Sequence, residues 1–261
     1  MIEASVLRPL GIRITDLDLT NLDLGSVGEV KQLLAQHGFV VFPDQALSDS
    51  DFVAFLRHFG TLTFSKGETP LPGFPDLNAV SNVGRKSKPR SVFHVDTSYV
   101  SEPPAYTALR AVQIPAAGGQ TLFTNQYRAY ETLSPELQTH LQGRFIRHVV
   151  TGLALGDDEE RAADHPVFLR HPISGRNSLY VSTPERCVAI SGLPAAASTE
   201  LIALLYAHST APDNTYRHTW ASGDVVMWDN GCVMHRADHS GVFGDRVLHR
   251  GMVAGNGMSH P

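Results

Sequence analysis

Cysteine is almost missing from this sequence: Cys187 and Cys232 are the two in 261 residues. They form no C-x-x-C pair, which excludes a cysteine-rich zinc site and a disulfide scaffold and suits a reducing, cytoplasmic setting. No run of about 18 apolar residues occurs, so no membrane-spanning helix is expected. The opening segment, MIEASVLRPLGIRITDLDL, lacks a basic leader followed by an apolar stretch, so no secretory signal is read there. Charged residues are 18% of the chain, the net charge is -5, and no long Lys/Arg run offsets it. That removes nucleic acid as a main partner. Signatures of other enzyme classes fail too. There is no G-x-S-x-G elbow and no Walker A loop, and Gly255-Asn256-Gly257 lacks the third glycine of a dinucleotide fingerprint.

What remains is a globular chain with 42% hydrophobic residues, long enough for one large domain with a full core. No repeat or low-complexity linker divides it, so residues 1–261 read as a single domain. Val27 to His37 has helical spacing, with Gly38 to end it, and Phe39 to Phe42 reads as a buried strand. Ser48 and Asp51 cap a second helix that closes by Gly60. Strands are expected at 92–97, 105–114, 120–124, 145–151, 166–171, 178–182, 215–220, 224–229 and 245–254. Helices are expected near 126–133, 135–142 and 198–209. Many short strands with a few outer helices predict a mainly β fold with flanking helices, a sandwich or barrel. Residues 65–91, rich in Gly, Pro, Ser and Lys, read as a long loop, either a lid or an ordinary surface excursion.

The chemistry centres on His94-Val95-Asp96. In an extended segment residues two apart share a face, so an imidazole and a carboxylate lie side by side. His235 can close a set of two histidines and one carboxylate, which leaves the opposite face of a metal open, as non-heme Fe(II) uses it. Arg246 and Arg250 offer forked cationic donors for carboxylate or sulfonate groups. Alternation along RVLHR puts residues 246, 248 and 250 on one face and His249 on the other. The bland alternative for Arg246 is a surface ion pair with Asp245 or Asp238, and for Arg250 a structural role. Cys232, close to His235, reads as a packed thiol.

Four segments carry a resemblance: FHVDTSY at 93–99, PPAYTALRAVQIPAAGGQTLF at 103–123, GDVVMWDNGCVMHRA at 223–237 and GDRVLHRG at 244–251. In content, order and spacing they resemble the taurine dioxygenase/2,4-D dioxygenase (TauD/TfdA) family of Fe(II)- and 2-oxoglutarate-dependent oxygenases, from about residue 5 to 254. The resemblance implies a double-stranded β-helix, the cupin-like jelly roll. It implies His94, Asp96 and His235 as iron ligands, and Thr121 and Arg246 as the residues that bind the distal carboxylate of 2-oxoglutarate. Arg250 matches the arginine that contacts an anionic substrate group. Phe64, Phe93 and Tyr99 are candidates for an apolar wall beside it, with core packing as the alternative. Related halogenases replace the carboxylate ligand with a small residue, so Asp96 favours hydroxylation.

One departure bears on substrate. Taurine-type enzymes carry a histidine soon after their F-G-x-L segment, and this chain has Phe59-Gly60-Thr61-Leu62-Thr63-Phe64-Ser65-Lys66 instead. Taurine itself is put in doubt. Lys66, or the basic cluster Arg85, Lys86, Lys88 and Arg90, is a candidate for another anion contact.

The expected protein is a dioxygenase using Fe(II), 2-oxoglutarate and O2. It hydroxylates a small anionic carboxylate, sulfonate or sulfate ester, with succinate and CO2 as coproducts. Two other readings stand beside it: a same-fold oxygenase of secondary metabolism acting on an amino acid or carrier-bound substrate, and a non-catalytic jelly-roll binding protein. Homo-oligomers, dimers or tetramers, are common among relatives, and nothing in the sequence decides the matter.

Overall fold

The computed structural model describes residues 2–84 and 91–255. In chain order come β1 (Ala4–Val6), β2 (Ile12–Ile14), α1 (Leu24–His37), β3 (Phe39–Phe42), α2 (Asp49–Arg57) and β4 (Leu62–Thr63). Next are β5 (Pro70–Leu71), β6 (Phe74–Ser81), β7 (Tyr106–Gln113), β8 (Thr121–Asn125), α3 (Gln126–Glu131) and α4 (Pro135–Leu141). β9 (Phe145–Val149), β10 (Ala162–Pro166), β11 (Phe168–Arg170), β12 (Asn177–Leu179) and β13 (Cys187–Ile190) precede α5 (Ala195–Ser209). The last strands are β14 (Thr215–His218), β15 (Val225–Asp229), β16 (Val233–Ala237) and β17 (Val247–Val253).

The helix ends follow from local chemistry. Asp23 accepts the Ser26 N–H at the start of α1, and Gly38, at φ 82°, closes it by donating its N–H to Leu34. Such a backbone favours glycine. Ser48 and Asp51 form a reciprocal capping box on α2.

Two sheets face each other and hold the site between them. The larger runs β1-β2-β3-β15-β7-β17-β6-β5, with β4 on β17, and the smaller runs β14-β8-β16. Strand β15 shows why its sequence is an unbroken apolar run. Val225 and Met227 pack under α1 and α2, while Val226 and Trp228 face the smaller sheet. A strand covered on both faces has no solvent side to mark. From the smaller sheet, Phe123 and Val233 meet that inner layer, and Leu122 and Met234 point outward to a third cluster with α5. The result is a jelly roll with helices on both outer faces.

The structure corrects three expectations. Residues 65–91 are not one loop: β5 and the eight-residue β6 lie inside them, with β6 paired to β17. FPDLNAVS carries no strong β alternation, and its pairing to β17 decides its conformation. Residues 92–97 form no strand. His94 makes an isolated bridge to His235, and Thr97 turns into the left-handed region at φ 42°. Strands β4, β10, β13 and β16 are additional. The basic residues Arg85, Lys86, Lys88 and Arg90 lie outside the described residues.

Candidate active site

β16 pairs with β8 so that His235 sits opposite Phe123. On its other side, His94 and His235 exchange backbone hydrogen bonds at 3.0 Å in each direction. Asp96, two residues beyond His94, is brought to the same point. His94 Nε2 lies 3.6 Å from Asp96 Oδ1, and His235 Nε2 lies 3.8 Å from Asp96 Oδ2. The three side chains offer ligand atoms all within 4.8 Å of one another.

Each of the three is held. His94 Nδ1 lies 3.0 Å from the Val92 carbonyl, a contact that fixes the ring with Nε2 turned toward Asp96. The His235 ring is fixed by packing, 4.4 Å from Trp228 and 6.5 Å from Phe123, centroid to centroid, and its Nδ1 has no hydrogen-bond partner. Asp96 Oδ2 accepts the Thr107 hydroxyl at 2.8 Å. Thr107 in turn accepts from the Asn230 amide, and Asn230 from the Trp228 indole.

The protonation states suit ligation. Burial works against ionising Asp96, but its polar neighbours, the Arg250 guanidinium among them, outweigh it and hold the carboxyl well below its usual range. Burial lowers His235 to about 3, so its imidazole is neutral at ordinary pH. A buried carboxylate with a buried neutral imidazole and a second, partly exposed imidazole is a donor set that fits a divalent iron.

Arg246 is 2% exposed, just before β17. Its Nε donates to the Gly119 carbonyl at 2.7 Å and its Nη2 to Thr121 Oγ1 at 3.3 Å, while Trp220 Nε1 donates to the same hydroxyl at 3.0 Å. No carboxylate pairs with it among the described residues, and burial alone lowers its pKa, to about 10. The surface ion pair with Asp238 does not form: Arg217 takes that carboxylate instead. A buried, still charged guanidinium without a counter-ion costs several kcal/mol. An incoming carboxylate would offset that cost with two parallel hydrogen bonds.

Arg250 shares the inward face of β17 with Arg246, as alternation requires. Its Nε donates to Asn78 Oδ1 at 3.0 Å, its Nη1 stands 3.7 Å from Asp96, and its Nη2 stands 3.4 Å from Glu68. His249 faces the other way and pairs with Asp49 at the start of α2.

Other sequence candidates settle differently. Phe93 packs into the α5-side core, and its carbonyl accepts the Tyr206 hydroxyl. Tyr99 is buried with the Arg186 guanidinium 5.6 Å from its ring centre, and Phe64 is half-buried just after β4. Lys66 is exposed and pairs with Glu159 at 3.2 Å. Four residues of the site are not singled out by the sequence: Glu68, Asn78, Thr107 and Asn230. Thr107 and Asn230 lie within the matched segments 103–123 and 223–237, which is the only signal they carry. Their meeting beside Asp96 depends on the pairing of β7 with β15, which sets Thr107 opposite Trp228.

A second cluster, His171, Asp229 and Cys232, also gathers possible ligand atoms. Its hydrogen bonds are already committed. His171 Nδ1 accepts two backbone N–H groups, its Nε2 donates to Asp229 at 2.9 Å, and Asp229 Oδ1 accepts the Gly231 N–H. This is a structural lock, and Cys232 is the packed thiol expected.

The comparisons agree with this geometry. The family model described as taurine catabolism dioxygenase TauD, TfdA family matches residues 4–252. An alpha-ketoglutarate-dependent 2,4-dichlorophenoxyacetate dioxygenase of Cupriavidus pinatubonensis is 32% identical over 277 residues, covering 95% of this chain and 96% of the relative. A taurine dioxygenase structure from Burkholderia xenovorans has a TM-score of 0.84 at 31% identity, covering 98% of this chain and 91% of that one. The structure of AAD-2 in complex with Mn(II) and N-oxalylglycine has a TM-score of 0.85 at 27% identity, covering 98% and 99%. The chain belongs to the TauD/TfdA family of Fe(II)- and 2-oxoglutarate-dependent dioxygenases.

Proposed function

We propose that His94, Asp96 and His235 hold Fe(II), that Arg246 and Thr121 bind the distal carboxylate of 2-oxoglutarate, and that Arg250 receives the anionic group of a small organic acid. The observation that carries this reading is Arg246, a buried cation without a carboxylate partner among the described residues, on the same strand face as Arg250. When bound, the iron and its cosubstrate supply the oxidation: one oxygen atom enters a substrate C–H bond as hydroxyl, the other enters succinate, and CO2 leaves.

The chain's own residues bind and orient. Arg246 fixes one end of the dicarboxylate, and Thr121, with its oxygen already accepting from Trp220 and Arg246, can turn its own proton to a carboxylate oxygen. Thr107 restrains Asp96 Oδ2, which favours Oδ1 for the metal. Arg250 lies close enough to Asp96 to hold a substrate anion beside the reacting centre. The relatives' acids supply a substrate class: a carboxylate or sulfonate on an aryloxy or alkyl body.

Anaerobic visible absorption of the protein with Fe(II) and 2-oxoglutarate tests the reading. A weak charge-transfer band is expected, absent in His94→Ala and needing at least about tenfold more 2-oxoglutarate in Arg246→Ala, the loss of a charged hydrogen-bond pair. A metal-loaded, folded protein without the band would sink it. Succinate release with 2,4-dichlorophenoxyacetate, 2-phenoxypropionate and alkylsulfonates then assigns the acid.

A further inference from the structure

We infer that Glu68 is a built-in stand-in for the substrate's anionic group, an internal carboxylate that occupies Arg250 until an anionic substrate exchanges it off. The inference rests on the reading of Arg250 given above.

Glu68 is delivered by a short turn. Its N–H donates to the Ser65 carbonyl, and Gly67 between them adopts φ 82°. Ser65 is buried and its hydroxyl meets Met252 of β17, which anchors the start of the turn. Lys66 pairs with Glu159, and Glu68, two residues on, reaches Arg250 of β17. One of its carboxylate oxygens stands 3.4 Å from Arg250 Nη2, and the other accepts from Asn78 Nδ2 at 3.3 Å.

Every nitrogen of Arg250 therefore has a neighbour: Asn78 at Nε, Asp96 at Nη1 and Glu68 at Nη2. The three are not equivalent. Asp96 and Asn78 are buried and belong to the walls of the site, whereas the Glu68 side chain is 45% exposed. Nη2 is also the one buried nitrogen of Arg250 without a hydrogen bond, because the Glu68 oxygen gives it charge without hydrogen-bond geometry. A buried donor left unmade favours any acceptor that completes it. A substrate carboxylate or sulfonate can supply that bond, and Glu68 is the partner able to move into water.

Charge balance points the same way. A second anion placed on Arg250 beside Glu68 and Asp96 would set like charges together in a partly buried site. Exchange of one carboxylate for another leaves the charge unchanged. Glu68 then acts as a specificity residue: it raises the threshold for weak or misplaced anions and couples binding at Arg250 to release of the 65–68 turn.

The test titrates the anaerobic Fe(II)–2-oxoglutarate holoenzyme with 2,4-dichlorophenoxyacetate, read as the shift of the visible band. Glu68→Gln should bind it about two- to fivefold more tightly than wild type, the range of a half-exposed ion pair, and Arg250→Gln more weakly. Equal affinity in Glu68→Gln and wild type, with Arg250→Gln weaker, overturns the exchange and leaves Arg250 as the anion site. Weaker binding in Glu68→Gln makes Glu68 a substrate contact and also overturns it. Equal affinity in all three removes the reading of Arg250 and the inference together. Hydrogen–deuterium exchange across residues 64–71, without added acid, decides the matter independently of the probe. Faster exchange in both variants is expected, and unchanged exchange in either overturns the stand-in role of Glu68.

Discussion

His94 and His235 are joined through their backbones, each donating its N–H to the other's carbonyl at 3.0 Å, while their rings stand 4.4 Å apart on the same side. The bridge is made by main-chain atoms, so the side chains can be changed without opening it. His94→Ala should therefore keep the fold, with a melting temperature in chelator close to wild type. The rise in melting temperature produced by Mn(II) should disappear, since ligand binding to the native state alone stabilises it. An undiminished rise in the variant would remove His94 from the ligand set.

Thr107 reaches the metal site without being a ligand. Its hydroxyl donates to Asp96 Oδ2 while accepting from Asn230, so Thr107→Val removes one bond from the carboxylate and strands the Asn230 amide. Groups that orient metal ligands are commonly worth about 10–100-fold in metal affinity. Mn(II) titration should show a loss of about that size, and Thr107→Ser should recover most of it. If serine fails to restore binding, the methyl group's packing, and not the hydroxyl, is what the site needs.

Much of this was written locally and therefore legible. Ser48 and Asp51 announce a helix because a capping box needs only residues three apart. FVVF and VVMW announce buried strands because both faces are covered. The alternation of Arg246, Leu248 and Arg250 sends both guanidinium groups inward and His249 outward, as the strand period dictates. Long-range register was not legible. Asn78 contacts Arg250 because β6 pairs with β17 at that position, and FPDLNAVS holds no sign of the pairing. Segment 92–97 misled for the opposite reason. Its Val and Phe residues favour a strand, but the chain keeps only the His94 bridge before Thr97 turns it away.

Gly119 is where backbone and cosubstrate site meet. It adopts φ 74°, and a Cβ there would come within 2.9 Å of Arg246 Cδ. Gly119→Ala strains the backbone and pushes the guanidinium stem at the same time. Strain of this kind costs about 1–3 kcal/mol. The 2-oxoglutarate concentration needed for half-maximal band formation should rise, with Mn(II) affinity unchanged because none of the three candidate ligands moves. A parallel loss of metal affinity would show that the strain spreads beyond Arg246.

His148 gives the fold a pH dependence of its own. It is fully buried, with Nδ1 2.9 Å from Ser98 Oγ, and the rings of His165 and Tyr180 lie 5.2 and 5.7 Å from it. Burial first, then the nearby His165 and Arg186, holds its pKa well below 6.5. Well above pH 6.5 neither the folded nor the unfolded chain protonates this ring, and it contributes no pH dependence. Below that value the unfolded chain takes up a proton that the folded chain refuses, so stability falls as the pH drops. The slope from one such group approaches about 1.4 kcal/mol per pH unit. His148→Phe keeps an aromatic ring in the cluster and removes the titration. Denaturant unfolding between neutral pH and about pH 5 should show a shallower decline in the variant than in wild type. Identical slopes would mean that His148 accepts its proton in the folded state as readily as in the unfolded one.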